Sequence, residues 1–274
     1  MMELLATLVV IAVALGVAVY LVRPSFEEGR EAGTRALAAA AAVVTVVATA
    51  LPALRTVHPG DPAFSGEVQA PGDTVPIPDG FAGPVRLLVS GKLAGRGEPR
   101  VAFTISGTRQ PVEGKLERTF GYARVGRSGR ARVAQDHDTD FFPAAIAPGG
   151  GALRLEQIQG GLVSPLRIAV YREPIPVAGG PWVLAALALL LAAVADARLG
   201  GRNNLSVACG MAVAFGLLVT YNATPASAIG PAAGGVVLGA IVGSLAGWAV
   251  AAIVRRVVPP VRRRAAGRGG AAAA

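Results

Sequence analysis

Of the chain's 274 residues, 53% are hydrophobic and only 16% charged, a balance that belongs to membrane classes rather than to large soluble domains. The net charge of +9 is unevenly placed: residues 55 to 178 carry 15 basic and 12 acidic side chains, while the other 11 basic residues face 5 acids and cluster at the ends of apolar stretches. That is the pattern of membrane topology, and it argues against nucleic acid as a partner.

The first apolar stretch, Leu4 to Val22, is about 19 residues without a charge, enough at a 1.5 Å rise per residue to cross roughly 30 Å of hydrocarbon. A retained span is expected rather than a cleaved leader, because Glu3 precedes it, no Lys or Arg does, and no small-x-small site comes before Arg23. A second, alanine-rich span is expected over 36–54, with Arg35 at one end and Pro52 near the other. Three more are expected at about 181–197, opened by Trp182 as an interfacial anchor, at 205–222, and at 232–254.

Lys and Arg gather on the cytoplasmic side of short loops, and this sets the expected orientation. Arg23, Arg30 and Arg35 lie between spans one and two, Arg198 and Arg202 between three and four, and Arg255, Arg256, Arg262, Arg263, Arg264 and Arg268 after five. The connection 223–228 has no charge. Five spans then put the N-terminus and residues 55–178 outside and the C-terminus in the cytoplasm. Residues 257–274, rich in Arg, Gly and Ala, are expected to be a disordered basic tail.

Between the second and third spans the pattern changes to short β-branched runs punctuated by Gly and Pro. Strands are expected at Val85 to Leu93, Arg100 to Ser106, Lys115 to Ala123, Ala131 to Ala134, Ala152 to Ile158 and Leu166 to Arg172, with Leu153, Leu155 and Ile158 alternating against Arg154 and Glu156. The fold class is therefore a membrane protein of about five transmembrane helices plus an extracytoplasmic all-β domain, a sandwich or jelly-roll-like structure. The lone Cys209 rules out a disulfide framework and reads as a small packing residue.

Four features invite a functional reading. Gly235, Gly239, Gly243 and Gly247 recur every four residues in the last span, a helix-packing face that lets another backbone approach closely, within the chain, in a second copy or in another subunit. Asp136, His137, Asp138 and Asp140 are the densest set of potential metal ligands, but they lack the Gly and the distal Glu of a calcium loop and read first as a solvated loop. Arg118, Arg124, Arg127, Arg130 and Arg132, near Phe120 and Tyr122, could grip phosphates or carboxylates, or could simply protect a sheet edge. Asp196 beside Arg198 reads as an interfacial ion pair.

No nucleotide, serine-hydrolase, zinc-protease or CxxC motif is present, and no span carries an ionisable residue in its interior, which argues against an ion carrier. The expected function is a non-enzymatic, multi-pass protein of a bacterial inner membrane, without cofactor. It is an accessory or assembly subunit whose β-domain binds a partner at the outer surface. Its expected partners are membrane lipid and other membrane subunits or further copies of itself. A glycan-binding or sensor module is one alternative, and an enzyme centred on His137 another.

Overall fold

The computed structural model describes residues 2–23, 32–94, 99–125, 129–149, 151–199, 204–225 and 227–258, without the side chains of Met2 and of 119–136. Arg30, Arg202, Arg262, Arg263, Arg264, Arg268 and the basic tail lie outside the described residues.

Five uninterrupted apolar segments form helices, each long and apolar enough to cross a bilayer. They are α1 (Met2–Val22), α2 (Ala32–Val57), α3 (Gly180–Leu199), α4 (Asn204–Asn222) and a last span, Ile229–Val257. The last span consists of α5 (Ile229–Leu238), a π-helical turn (Gly239–Gly243) and α6 (Ser244–Val257).

The chain divides into two compact units. One holds Ala6–Ala53, Trp182–Tyr221 and the last span from Gly230 onward. Within it α4 is central, since 67% of its apolar window is buried against 22% for α1 and for the last span. Alanines from α2 and α3 pack with Leu205, Cys209, Val213 and Leu217 of α4 in one cluster, small residues that bring helix axes close. The Thr45 hydroxyl donates to Ala41 O and lies 3.2 Å from Cys209 Sγ.

Backbone contact is closest where glycines meet. A Cβ on Gly210 of α4 would stand 2.0 Å from Gly243 O, one on Gly243 would stand 2.2 Å from Gly210 O, and one on Gly247 would stand 2.2 Å from Ser206 O. Gly239 and Gly235 face Phe215 of the same helix. On a regular α-helix a four-residue repeat overruns each turn by about 40°, so four glycines would drift by roughly 120° around the axis. The π turn takes up one extra residue, which removes about 100° of that drift and keeps all four positions on α4.

The other unit is Leu54–Pro181, joined by the start of α1 up to Leu5 and by Asn222–Ile229. Its strands are β1 (Phe64–Val68), β2 (Thr74–Pro76), β3 (Gly83–Ser90), β4 (Arg100–Ser106), β5 (Val112–Val125), β6 (Gly129–His137), β7 (Thr139–Ile146), β8 (Ala152–Gln159) and β9 (Leu166–Arg172). They make two antiparallel sheets, in the orders β1-β9-β3-β7 and β2-β8-β4-β5-β6. Val85, Leu87 and Val89 of β3 and Ile168 and Val170 of β9 share one core with Val101, Phe103 and Ile105 of β4 and Leu153 and Leu155 of β8. Phe103 meets Phe142 edge-on across that core at 5.4 Å. Both sheets thus bury their inner faces against each other, as in a sandwich.

Three strands differ from the sequence expectation. β1 and β2 were not expected, because Pro, Gly and Asp punctuate 64–76. β7 occupies part of the stretch read as an acidic loop: β6 ends at His137 and β7 begins at Thr139, leaving Asp138 alone between strands of different sheets. The pairing of β8 with β4 explains another oddity, the break in period between Leu155 and Ile158. Ile105 pairs with Leu155 but Thr104 with Gln157, so Glu156 is the extra residue of a bulge. Glycines close both ends of this ladder. Gly107 (φ +92°) and Gly160 (φ +113°) have left-handed backbones, and a Cβ on either would strike a neighbouring carbonyl at 2.1 Å.

Replacing Gly210 or Gly243 by Leu is expected to destabilise the helix unit by on the order of 1–3 kcal/mol or more through overpacking. Gly16→Leu, where nothing lies within 4 Å, serves as the control. Thermal melting in mild detergent checks this; equal melting of all three variants would remove the glycine contact as a determinant of packing.

Candidate functional site

The outer face of the four-stranded sheet is set by strand alternation. With Val85, Leu87 and Val89 directed into the core, Arg86 falls on the opposite face of β3, between Pro143 of β7 and Tyr171 of β9. Arg86 is only 3% exposed. Its Nε lies 3.1 Å from Glu173 Oε2, its Nη1 donates to Thr56 Oγ1 at 2.7 Å, and its guanidinium carbon sits 4.9 Å from the centre of the Phe141 ring. A planar, forked cation is suited to this combination of in-plane donors and aromatic face. Thr56 belongs to the last turn of α2 and Glu173 follows β9 directly, so one buried cation ties together the places where the chain enters and leaves the sandwich. Burial pushes the Glu173 carboxyl above its ordinary value, while Arg86, Arg55 and a hydrogen bond from the Ile175 backbone pull it down.

Beside this pair lies a groove of about 580 Å³. Pro84, Pro111, Pro143 and Pro176 line it together with Phe142, and its charged residues are Arg109, Glu113 and Glu173. Proline offers no N–H, so this wall presents apolar surface and carbonyls. β7, on one side, is an edge strand, and Pro143 with the Arg109 N–H to Ala145 O bond (2.7 Å) occupies part of its open edge. The groove is therefore apolar along its proline wall, and the edge of β7 beside it is only partly open for pairing.

The residues singled out in the sequence fall elsewhere. Asp136 and His137 end β6, and Asp140 stands on β7 with its Oδ1 accepting the Phe141 N–H at 2.7 Å. Asp140 is exposed by area, yet loss of hydration still raises its carboxyl above the ordinary value, against the Phe141 N–H and the His137 charge. The Asp138 carbonyl accepts the Gly91 N–H at 2.9 Å and its Oδ1 the Thr139 hydroxyl at 3.3 Å, both local ties of a corner. Among the described residues no three His, Cys, Asp or Glu side chains converge as a metal site. Arg118, Arg124, Arg130 and Arg132 stand on the β5–β6 ribbon, and Arg127 lies outside the described residues.

Asp196 is a correction. It is 2% exposed and accepts the Leu205 N–H (3.3 Å), the Ser206 N–H (2.8 Å) and the Ser206 hydroxyl (2.6 Å). It therefore satisfies the first turn of α4, where free N–H groups and the helix dipole favour a carboxylate, and among the described residues it forms no ion pair with the exposed Arg198. Sequence reading also missed Arg86 and Glu173. The available signal was an arginine between valine and leucine in a strand whose neighbours on both faces are apolar.

Neither family comparison, curated proteins nor solved structures yield a match to this chain.

Arg86→Ala is expected to cost about 3–5 kcal/mol, because it strands the buried Glu173 carboxylate. Exchanging both partners for apolar residues, Arg86→Met with Glu173→Leu, should cost less. Melting of the full chain followed by near-ultraviolet circular dichroism separates the cases; equal loss in both would contradict the pairing. A raised carboxyl binds its proton more tightly in the folded state, so its contribution is largest below the ordinary value of 4.5 and is lost as pH rises through the raised value. Wild type should therefore lose stability relative to Glu173→Gln as pH rises through that window, and a flat difference would contradict the shift.

Proposed function

We propose that this protein is a non-enzymatic, multi-pass subunit of a bacterial inner membrane whose β-domain stands outside the cytoplasm as a platform for a partner. The observation that carries the reading is which helix ends belong to the β unit. The start of α1, the last turn of α2, the start of α3 and the connection 222–229 all do. The opposite ends of the helices carry Arg23, Arg35, Arg198, Arg255 and Arg256, and the connection 223–228 has no charge. With Lys and Arg retained on the cytoplasmic side, this partition supports an outward β-domain and an inward C-terminus.

The domain is tethered at both ends, and the Arg86, Thr56 and Glu173 contacts hold its entry and exit segments together. A domain tethered at both ends to apolar spans acts close to the membrane surface rather than on distant ligands. The proline-lined groove is the surface we assign to a protein neighbour, since its lining is apolar with one cation and two acids. This supports a role as accessory or assembly subunit of a larger membrane complex.

Single cysteines in a Cys209→Ala background test the orientation. Gln157→Cys, exposed on β8, should react in intact cells with a membrane-impermeant maleimide, and Arg256→Cys should react only after lysis. The reverse labelling would overturn the assignment. Photo-crosslinking from Pro111 should then capture a discrete protein neighbour in native membranes, and a chain that remains uncrosslinked would count against the subunit role.

A further inference from the structure

From Phe141 to Ile146 every residue of β7 (Thr139–Ile146) is apolar. A run of this kind at the margin of a sheet is the chemistry by which strands add to one another across molecules. β7 does stand at a margin, since the four-stranded sheet runs β1-β9-β3-β7. The margins formed by β1 and β2 lie against each other, and a Cβ on Gly66 of β1 would meet Val75 of β2 at 2.7 Å. β7 must be protected in another way.

The register of β7 against β3 decides which of its backbone groups face outward. In an antiparallel ladder, alternate residues direct both N–H and C=O toward the partner strand or away from it. Ala145 turns away from β3, because its carbonyl accepts the Arg109 N–H at 2.7 Å. Pro143 and Phe141, opposite Arg86 and Leu88, share that parity. A strand arriving at this edge would therefore need the N–H and C=O groups of residues 141, 143 and 145.

Three of these groups are withdrawn, each by a different device. The Phe141 N–H is held by the Asp140 carboxylate, whose Oδ1 accepts it at 2.7 Å. Residue 143 is proline and has no N–H to offer. The Ala145 carbonyl is taken by Arg109, which lies between β4 and β5. Proline is tolerated at 143 because its missing N–H falls on the open side, so the ladder with β3 loses nothing. Asp140 has the opposite parity, opposing Val89, and its exposed carboxylate reaches the N–H of the next residue.

We propose that Asp140, Pro143 and the Arg109 backbone together guard this edge, keeping a second copy of the chain from adding a strand at β7. A strand docked here would bury carbonyls of its own opposite positions that lack a free donor, and an unmade hydrogen bond costs more than a made one contributes. Asp140 thereby acquires a role that needs neither a metal nor a reaction, since its carboxylate serves an N–H of its own strand. The inference concerns the edge alone. It is independent of the neighbour assigned to the groove and of the side of the membrane on which the domain stands.

The test compares self-association of the full chain in mild detergent by sedimentation velocity at increasing protein concentration. Asp140→Ala combined with Pro143→Val restores two outward N–H groups. That variant should associate at a concentration roughly tenfold lower than wild type, the effect of about one or two recovered hydrogen bonds. Hydrogen exchange over residues 139–146 should slow as it associates. Asp140→Asn, which keeps an acceptor for the Phe141 N–H, should behave as wild type. So should Ala102→Val, which adds apolar surface at an exposed position of β4, paired on both sides by β8 and β5. A double variant no more associated than wild type, association without slower exchange at 139–146, or equal association of Ala102→Val would each overturn the proposal. Near-ultraviolet circular dichroism reports the fold. If the double variant fails to fold, Asp140→Ala alone, which leaves the ladder with β3 intact, decides between the same outcomes.

Discussion

Hydrocarbon offers no partner to a backbone N–H or carbonyl, and five segments of this chain are long and apolar enough to meet that constraint as helices. Where the sequence is apolar without interruption, the only way to satisfy the backbone is within a helix, and five such helices form. Where Gly, Pro and charge interrupt it, the chain folds as two antiparallel sheets around a separate core. The two units thus rest on different energetics. The sandwich buries large aliphatic side chains away from water, while the helices depend on close packing and on internally satisfied polar groups.

Close packing explains the small residues. α4 is central because its glycines admit neighbouring backbones: Gly210 meets Gly243, and Gly216 meets the backbone of Thr49 on α2. The π turn belongs to the same device, since without it the glycine repeat would wind away from α4. Asp196 completes the arrangement by satisfying the first turn of α4, a buried carboxylate whose partners are amides and a hydroxyl. In the β unit, Arg86 plays the corresponding part where the chain enters and leaves the sandwich, through Glu173 just after β9 and Thr56 in the last turn of α2. Its value lies in specificity of placement more than in net stability, because a buried ion pair seldom outperforms an apolar one.

The helices were legible because continuous hydropathy is a local property. β4 and β9, at Arg100–Ser106 and Leu166–Arg172, were equally legible, since both alternate cleanly and are bounded by turn residues. β7 was not: it opens on Thr139 and Asp140 and contains Pro143, and only pairing with β3 makes it a strand. The same limit hid the Arg86 pair, whose partners are 30 residues before and 87 residues after it in the chain. The arginines of the ribbon were visible as a cluster, but their separation onto one face required the register of β5 against β6.

The five-span reading can be measured directly. Val43 on α2 and Val163 in the β unit are each 64% exposed, so spin labels there differ in surroundings rather than in burial. In nanodiscs, the label at Val43 should collide freely with dissolved oxygen and hardly at all with a water-soluble nickel chelate, and the label at Val163 should do the reverse. Nickel access to Val43 equal to that at Val163 would contradict a membrane-spanning α2 and, with it, the five-span account.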